Sequence, residues 1–211
     1  MVTLKMAIIF LMEQIRTPFS LIWTIMSPTV LFFFLHFNEI ELHYGDTAWL
    51  GKQISWFVGY ISFSVVLFNY CLYLVGRRES GFIATFVHNM DGRLLFIRSQ
   101  LIASLIMSIL YVFFFILVVL TGFQASPDYQ IIMIILKSIY INAFMMVSLT
   151  FMASFRVTFQ TASTIYSVLI TVCMVSGIVS LKYNEGIVYW INQVNPIAIY
   201  STILQSDQEL S

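Results

Sequence analysis

Residues 101–123 read LIASLIMSILYVFFFILVVLTGF, an apolar stretch without a single charged residue. An α-helix needs about 20 apolar residues to cross the roughly 30 Å hydrocarbon core of a bilayer, so this stretch is long enough to span a membrane. It shows none of the alternation over about ten residues that is typical of a membrane β-strand. The stretch therefore predicts a transmembrane α-helix.

The composition extends this prediction to the whole chain. Of its 211 residues, 60% are hydrophobic and 9% are charged, whereas soluble domains average about 45–50% and about 25%. Four more apolar stretches of similar length occur, at residues 18–37, 54–75, 131–155 and 161–181. The sequence predicts an all-α fold, a polytopic transmembrane helix bundle in which residues 1–211 form a single domain with five spans.

Basic residues indicate which side of the membrane each loop occupies, because Lys and Arg are enriched in short cytoplasmic loops. With a cytoplasmic N-terminus, the cytoplasmic side holds seven of the ten, which are Lys5, Arg16, Arg77, Arg78, Arg93, Arg98 and Arg156. The first external loop is instead acidic. We predict a multi-pass protein of the plasma (inner) membrane with its N-terminus in the cytoplasm. The formal net charge is zero, and without a basic face the chain is not expected to bind nucleic acid.

The N-terminal segment has a helical pattern of its own. Leu4, Ile8, Leu11 and Ile15 recur at spacings of four, three and four, which places them on one face of a helix. This predicts an amphipathic helix over residues 3–17 that lies along the inner leaflet. The alternative is an extension of the first span.

The loop between the second and third predicted spans contains four of the arginines and a short amphipathic pattern. Phe82 and Phe86 are one helical turn apart, with Ile83 and Val87 beside them, and residues 89–92 are expected to form a turn. Two interpretations stay open. The aromatic rings rest on lipid headgroups, or they are apolar anchors for the groove of a soluble partner.

The predicted spans contain no Asp or Glu, although ion-coupled transporters generally need such groups within the membrane. GxSxG, HExxH and GxxxxGK[ST] strings are absent from the sequence, and these are the motifs of serine hydrolases, zinc proteases and ATP-binding loops. We therefore predict no catalytic residues and no metal site, and the separation of Cys71 and Cys173 agrees with this.

A few polar residues do occur within the spans. Asn69 and Asn142 are expected to form hydrogen bonds between helices, and the alternative is that they line a pathway. Lys137 lies close enough to the outer surface for its side chain to snorkel, and the alternative is a contact with the substrate. Small residues form a stripe on the fifth span, which predicts that this span packs centrally against the bundle or against a second copy. They are Ser163, Ser167, Thr171, Ser176 and Ser180.

Residues 183–204 are apolar but are interrupted by Asn192, Gln193, Asn195 and Pro196. Such a segment makes a poor transmembrane helix, because each break leaves backbone groups without partners in lipid. We expect an external re-entrant segment or, alternatively, a poor sixth span.

The order of these parts resembles the permease family of type 2 ABC exporters. That family has an amphipathic helix, two spans, a cytoplasmic helix that begins near a Glu-x-Gly motif, three spans and an external Asn-Pro. The matching motifs here are Arg78-Glu79-Ser80-Gly81 and Asn195-Pro196. They are short, so the resemblance depends on their order and spacing. The family normally has a sixth span after Asn-Pro, and we expect that a terminal span is missing from the sequence as given.

The resemblance implies specific roles. The N-terminal helix, with Leu4, Ile8, Leu11 and Ile15, would be the family's connecting helix. The coupling helix that docks on a separate ABC ATPase would include Arg78, Glu79, Ser80, Gly81, Phe82, Ile83, Phe86 and Val87. The chain itself would hold no cofactor, because ATP and Mg would be bound by the partner ATPase, and a second copy or a related permease would complete the transporter.

The apolar, Phe- and Met-rich spans favour export of a hydrophobic or amphipathic substrate, a peptide or a drug-like molecule. The alternatives are the permease of a lipid-linked glycan exporter, and a membrane channel or scaffold outside the ABC class.

Overall fold

The computed structural model describes residues 2–16, 18–82, 89–151, 155–182 and 185–206, and these residues form helices and no strand. The all-α prediction is therefore confirmed for this part of the chain. In chain order the helices are α1 (Val2–Ile15), α2 (Pro18–Leu35), α3 (Thr47–Glu79), α4 (Met90–Gly122), α5 (Tyr129–Leu149), α6 (Phe159–Lys182), α7 (Gly186–Gln193) and α8 (Pro196–Gln205), and a 3-10 turn, Phe37–Glu39, follows α2.

Four of these helices, α3 to α6, are long and apolar enough to cross a membrane. Five spans were predicted from the sequence. The helix α2 has 18 residues, but its described side chains begin at Thr24, and the described apolar part, Thr24–Leu35, is by itself shorter than a full span. The transmembrane character of the bundle is thus supported by four helices, and the span at residues 18–37 stays a prediction.

Two helices begin well before the apolar stretches that revealed them. α3 begins at Thr47, where Asp46 accepts a hydrogen bond from the backbone N–H of Trp49 at 3.0 Å. α4 begins at Met90, so Asp91 and Gly92, expected in a turn, lie in its first helical turn. Hydropathy detects only the apolar part of a helix, and polar residues extend both helices beyond it.

The cap of α3 is electrostatically coupled to the neighbouring loop. The pKa of Asp46 is lowered, first by the backbone hydrogen bond from Trp49 and then by the side chain of His43, whose Nδ1 lies 3.2 Å from the carboxylate. The His43 ring stacks on Trp49 with 4.2 Å between the ring centres. A carboxylate that stays ionised at a helix N-terminus also interacts favourably with the helix dipole.

α3 is the central helix of the bundle. In its most apolar window 78% of the residues are buried, against 28% in α5 and in α6. Leu50, Ile54, Ile61, Val65 and Val75 are all fully enclosed. Residues Val65–Leu72 form a π-helical segment within α3, and such segments often occur at functional sites.

α6 lies at the periphery of the described chain, and the middle of its small-residue stripe does not face the bundle, whereas Ser176 of the same stripe accepts a hydrogen bond from Asn195 at 3.1 Å. Ser167 and Thr171 are exposed, and each hydroxyl donates to the backbone carbonyl one turn earlier, at 2.8 Å. The face of α6 that packs against the bundle is a different one, formed by Ala162, Tyr166, Ile170, Cys173 and Gly177. Contact of the stripe with a second copy stays a prediction.

The segment after α6 contains two short helices, α7 and α8, of 8 and 10 residues. Each is shorter than the roughly 20 residues that cross a bilayer. α8 lies directly against α3, because a Cβ added at Gly59 would lie 3.1 Å from the carbonyl oxygen of Ile197. A continuous sixth crossing is therefore absent from the described residues 185–206, and the re-entrant position in the membrane stays a prediction.

Candidate functional site

Three helices meet at the C-terminal end of α3, where three of the seven basic residues predicted to be cytoplasmic also lie. We call this cluster the charged junction and define it as Glu13, Tyr73, Arg77, Arg78, Glu79, Phe82 and residues 155–159. It joins α1 and the start of α6 to the end of the central helix.

The first connection of the charged junction is an ion pair between α1 and α3. Arg77 donates from Nη2 to both carboxylate oxygens of Glu13, and Tyr73 donates its hydroxyl proton to Glu13 at 2.8 Å. The Arg77 guanidinium lies over the rings of Tyr73 and Phe82, at 4.9 and 5.1 Å from the ring centres. The Arg77 side chain is only 25% exposed, so aromatic faces hold the cation in addition to the carboxylate.

The second connection runs from α3 to the segment before α6. Arg78 donates to the backbone carbonyl oxygens of Phe155 and Val157, the latter at 2.5 Å. Glu79 accepts a hydrogen bond from the backbone N–H of Phe159, the first residue of α6. An N-terminal N–H has no partner within its own helix, and a carboxylate there is stabilised by the helix dipole. Glu79 therefore caps α6 from another helix.

The charged junction also reaches α4. Gly81 has a positive φ of 74°, and this turn places Phe82 with its ring centre 5.8 Å from that of Phe96. The Ser80 hydroxyl donates to the Arg77 carbonyl at 3.1 Å. The structure thus brings Arg78, Glu79, Ser80, Gly81 and Phe82 of the predicted coupling segment together. The other predicted members, Ile83, Phe86 and Val87, lie outside the described residues.

α1 packs through a face that the sequence did not single out. Leu4, Ile8 and Ile15 are exposed and Leu11 is half-buried, whereas Ala7, Phe10 and Gln14 are buried. Thr3, Ala7, Phe10 and Gln14 follow the same spacing of four, three and four as the predicted face. Because α1 is apolar on both sides, periodicity alone cannot tell which face contacts the protein.

Phe10 anchors the buried face of α1. Its ring centre lies 5.4 Å from that of Phe96 on α4 and 5.7 Å from that of Tyr73 on α3. The Ser99 hydroxyl also donates to the backbone carbonyl of Thr3 at 3.1 Å. α1 is therefore seated in the groove between α3 and α4, beside the charged junction.

Deep in the bundle, Asn142 joins three helices. It is 1% exposed on α5, and its Nδ2 donates to the hydroxyls of Ser62 on α3 at 3.2 Å and Ser108 on α4 at 2.5 Å. These contacts fit the interpretation of Asn142 as a hydrogen-bonding residue between helices.

Asn69 lies in the π-helical segment and contacts α4. Its Nδ2 lies 3.5 Å from the Tyr111 hydroxyl, and its backbone carbonyl accepts from Gln100 at 2.8 Å and Ser104 at 3.2 Å. In a wide helical turn the backbone carbonyls lose regular partners, and side chains of the next helix supply donors. The sequence analysis did not predict a role for Gln100 and Ser104, although these two polar residues are one turn apart on an apolar helix.

The Asn195-Pro196 motif holds the turn between α7 and α8. Asn195 accepts a hydrogen bond from the Ile197 N–H at 3.0 Å and donates to the Cys173 carbonyl at 2.8 Å. Pro196 occupies the first helical position, where the missing N–H costs nothing. The motif has a structural role in fixing α8 against α6.

Lys137 interacts with protein atoms at the end of α8. Its Nζ lies 3.4 and 3.5 Å from the carbonyl oxygens of Ile203 and Leu204 and 3.3 Å from the Ser206 hydroxyl. A cation is favoured at a helix C-terminus. The contact spans 67 residues of sequence, and residue spacing gave no signal for it.

Within the described part of the chain, no cluster of three or more His, Cys, Asp or Glu side chains is placed to hold a metal ion. No family model and no solved structure matches this chain. Similarity to known proteins therefore leaves its family open.

Proposed function

We propose that this chain is the permease subunit of an ATP-driven ABC exporter, which moves a hydrophobic or amphipathic substrate out of the cell with energy from a separate ATPase subunit. The observation that supports this proposal best is the charged junction. Residues 78–82, the first part of the predicted coupling helix, contact several helices at once, as a mechanical connection requires.

The route of such a connection can be followed residue by residue. A displacement of residues 78–82 acts directly on α3, on α1 through Arg77 and Glu13, and on α6 through Glu79. It acts on α4 through Phe82 and Phe96. A partner that binds this segment more tightly in one arrangement of the helices would bias the bundle toward that arrangement, and the bundle would bias the partner equally.

The proposal also explains features outside the junction. α1 exposes Leu4, Ile8 and Ile15, as suits a connecting helix at the inner leaflet. The exposed hydroxyls of Ser167 and Thr171 on α6 suit a close contact with a second copy or a related permease. Peptides and drug-like molecules are the favoured substrates, and lipid-linked glycans are the alternative class.

Co-purification with an ATPase tests this function. When the chain is purified in mild detergent from its native cells, we expect an ATPase subunit to accompany it and to hydrolyse ATP. Phe82→Asp combined with Phe86→Asp should remove most of the bound ATPase, because charged side chains would replace both apolar anchors. Because Phe82 also packs against Phe96 within the chain, Phe86→Asp alone should remove most of the ATPase as well. The matched control is Leu42→Asp, which places the same charge on a residue that is 77% exposed at the other end of the molecule.

A different result would contradict the proposal. If the purified chain alone moves solute across vesicle membranes and the two Phe variants behave as wild type, a self-contained channel is the better description. If Leu42→Asp loses the ATPase as completely as the Phe variants, the docking role of residues 82–86 is disproved.

A further inference from the structure

A cavity of about 310 Å³ lies beside the charged junction, between α1, α3, α4 and the first residue of α6. Its size falls at the lower end of the roughly 300–1,000 Å³ that ligand pockets occupy. We propose that it binds one membrane phospholipid whose headgroup is a phosphodiester with a primary amine, as in phosphatidylethanolamine. The proposal is independent of whether an ATPase binds the chain.

The walls of the cavity suit a hydrocarbon chain. Phe68 and Leu72 line it from α3 and Phe159 lines it from α6. The cavity is lined by α3 from Phe68 to Tyr73, and this part of the helix is about 8 Å long. This length is about half of one leaflet, which is roughly 15 Å of the roughly 30 Å hydrocarbon core, so part of one acyl chain can lie along it.

Two of the polar residues that line the cavity do not oppose an apolar occupant. Asn69 and Tyr111 both line the cavity, and their side chains lie 3.5 Å apart and can bond to one another. The Asn69 carbonyl is occupied by Gln100 and Ser104. Polar groups that are bonded within the protein leave little desolvation cost for a chain that passes them.

One end of the cavity carries the charges that select the headgroup. Glu13 lines it and is 47% exposed, and Arg77 is bound to Glu13. Within the described residues, the hydrogen bonds of Arg77 all leave from Nη2, so Nε and Nη1 remain as donors. A phosphate can accept from these donors while a neighbouring ammonium donates to the Glu13 carboxylate.

This arrangement discriminates among phospholipids. A headgroup with a phosphate but no ammonium group would bring a net negative charge beside Glu13, and like charges at short range are unfavourable. A trimethylated ammonium group carries no N–H to donate to Glu13. The pair of opposite charges in the protein therefore matches a zwitterion with a free amine better than either competitor.

Photolabelling tests the site on the purified full-length chain in nanodiscs. Probes of phosphatidylethanolamine, phosphatidylglycerol and phosphatidylcholine, each with a photoactivatable group in the acyl chain, are compared at equal mole fraction. We expect the ethanolamine probe to label peptides of α1 and α3 at least fivefold more than the other two.

In Glu13→Gln this preference should disappear and labelling by the glycerol probe should rise above wild type, because Arg77 then faces the phosphate alone. Glu41→Gln, the same change in the loop before α3, is the matched control and should keep the preference.

A second variant keeps the test decisive if Glu13→Gln fails to fold, as judged by size-exclusion chromatography and circular dichroism. Leu72→Phe enlarges a side chain of the wall and should reduce labelling by all three probes in α1 and α3, with no change in α5. Equal labelling by the three headgroups in wild type, or labelling unchanged by either variant, would overturn the proposal and show annular lipid only.

Discussion

At the scale of single residues, a buried amide forms the hydrogen bonds that join three particular helices of this bundle. Asn142 is enclosed by three helices and donates to two serines. The sequence alone identified Asn142 as an interhelical residue, because an amide within an apolar span needs a partner. It could not identify Ser62 and Ser108 as the partners, because α3 and α4 contain several serines each at helical spacing.

We expect Asn142→Ala to destabilise the folded bundle by about 1–3 kcal/mol, since interhelical hydrogen bonds in membranes contribute about 0.6 and at most about 1.7 kcal/mol each. The measurement is the midpoint of unfolding in mixed micelles, followed by circular dichroism. Phe144→Ala is the control, because Phe144 lies on the same helix but is 65% exposed, and it should change the midpoint much less. Equal midpoints for Asn142→Ala and wild type would show that the two bonds contribute nothing.

At the scale of helices, the order of the long helices by hydropathy does not match their order by burial. α3 is the least apolar of the four long helices and the most buried. Hydropathy reports how well a helix tolerates lipid, so it located the spans but did not rank them by position in the bundle. A helix with Ser62 and Asn69 is more stable among other helices, where these side chains find partners.

The approach of α6 to α3 depends on a glycine. A Cβ added at Gly177 would lie 2.7 Å from the Trp56 ring, too close for van der Waals contact. We expect Gly177→Ala to destabilise the bundle by about 1–3 kcal/mol through overpacking, although Ala is a better helix former than Gly by about 1 kcal/mol. The measurement is thermal unfolding in detergent.

Two further variants separate packing from helix propensity. Gly177→Ala combined with Trp56→Leu should recover part of the lost stability, because the smaller side chain makes room for the methyl group. Thr171→Ala, at an exposed position of the same helix, should leave the unfolding midpoint nearly unchanged. A stabilised Gly177→Ala protein would contradict the close packing of α6 on α3.

At the scale of the whole molecule, the sequence predicted the type of fold better than the contacts that join its parts. Composition and span length predicted the all-α bundle, because a bilayer imposes both on a chain. The charged junction brings together residues that are 64 and 80 positions apart, in Arg77–Glu13 and Glu79–Phe159. Helical periodicity relates only neighbouring turns, so it could not predict these pairs.

The predicted orientation places the charged junction in the cytoplasm and the acidic loop before α3 outside. We expect a membrane-impermeant maleimide to label Asn38→Cys and Ser126→Cys in intact cells, and to label Ser80→Cys and Asn89→Cys only after the cells are opened. All four positions are exposed, whereas the native Cys71 and Cys173 are buried, so the wild-type chain provides the unlabelled control. The reverse pattern of labelling would invert the topology and place residues 78–82 out of reach of a cytoplasmic ATPase.

The burial of the least apolar long helix has a consequence for biogenesis. As synthesis proceeds, α3 leaves the ribosome before α4 and α5, yet its Asn69 carbonyl and its Ser62 hydroxyl are bonded to Gln100, on α4, and to Asn142, on α5. α4 is the most apolar of the long helices and should partition into lipid unaided. We therefore expect α3 to remain at the insertion machinery until the later helices arrive and to be released into the bilayer together with them.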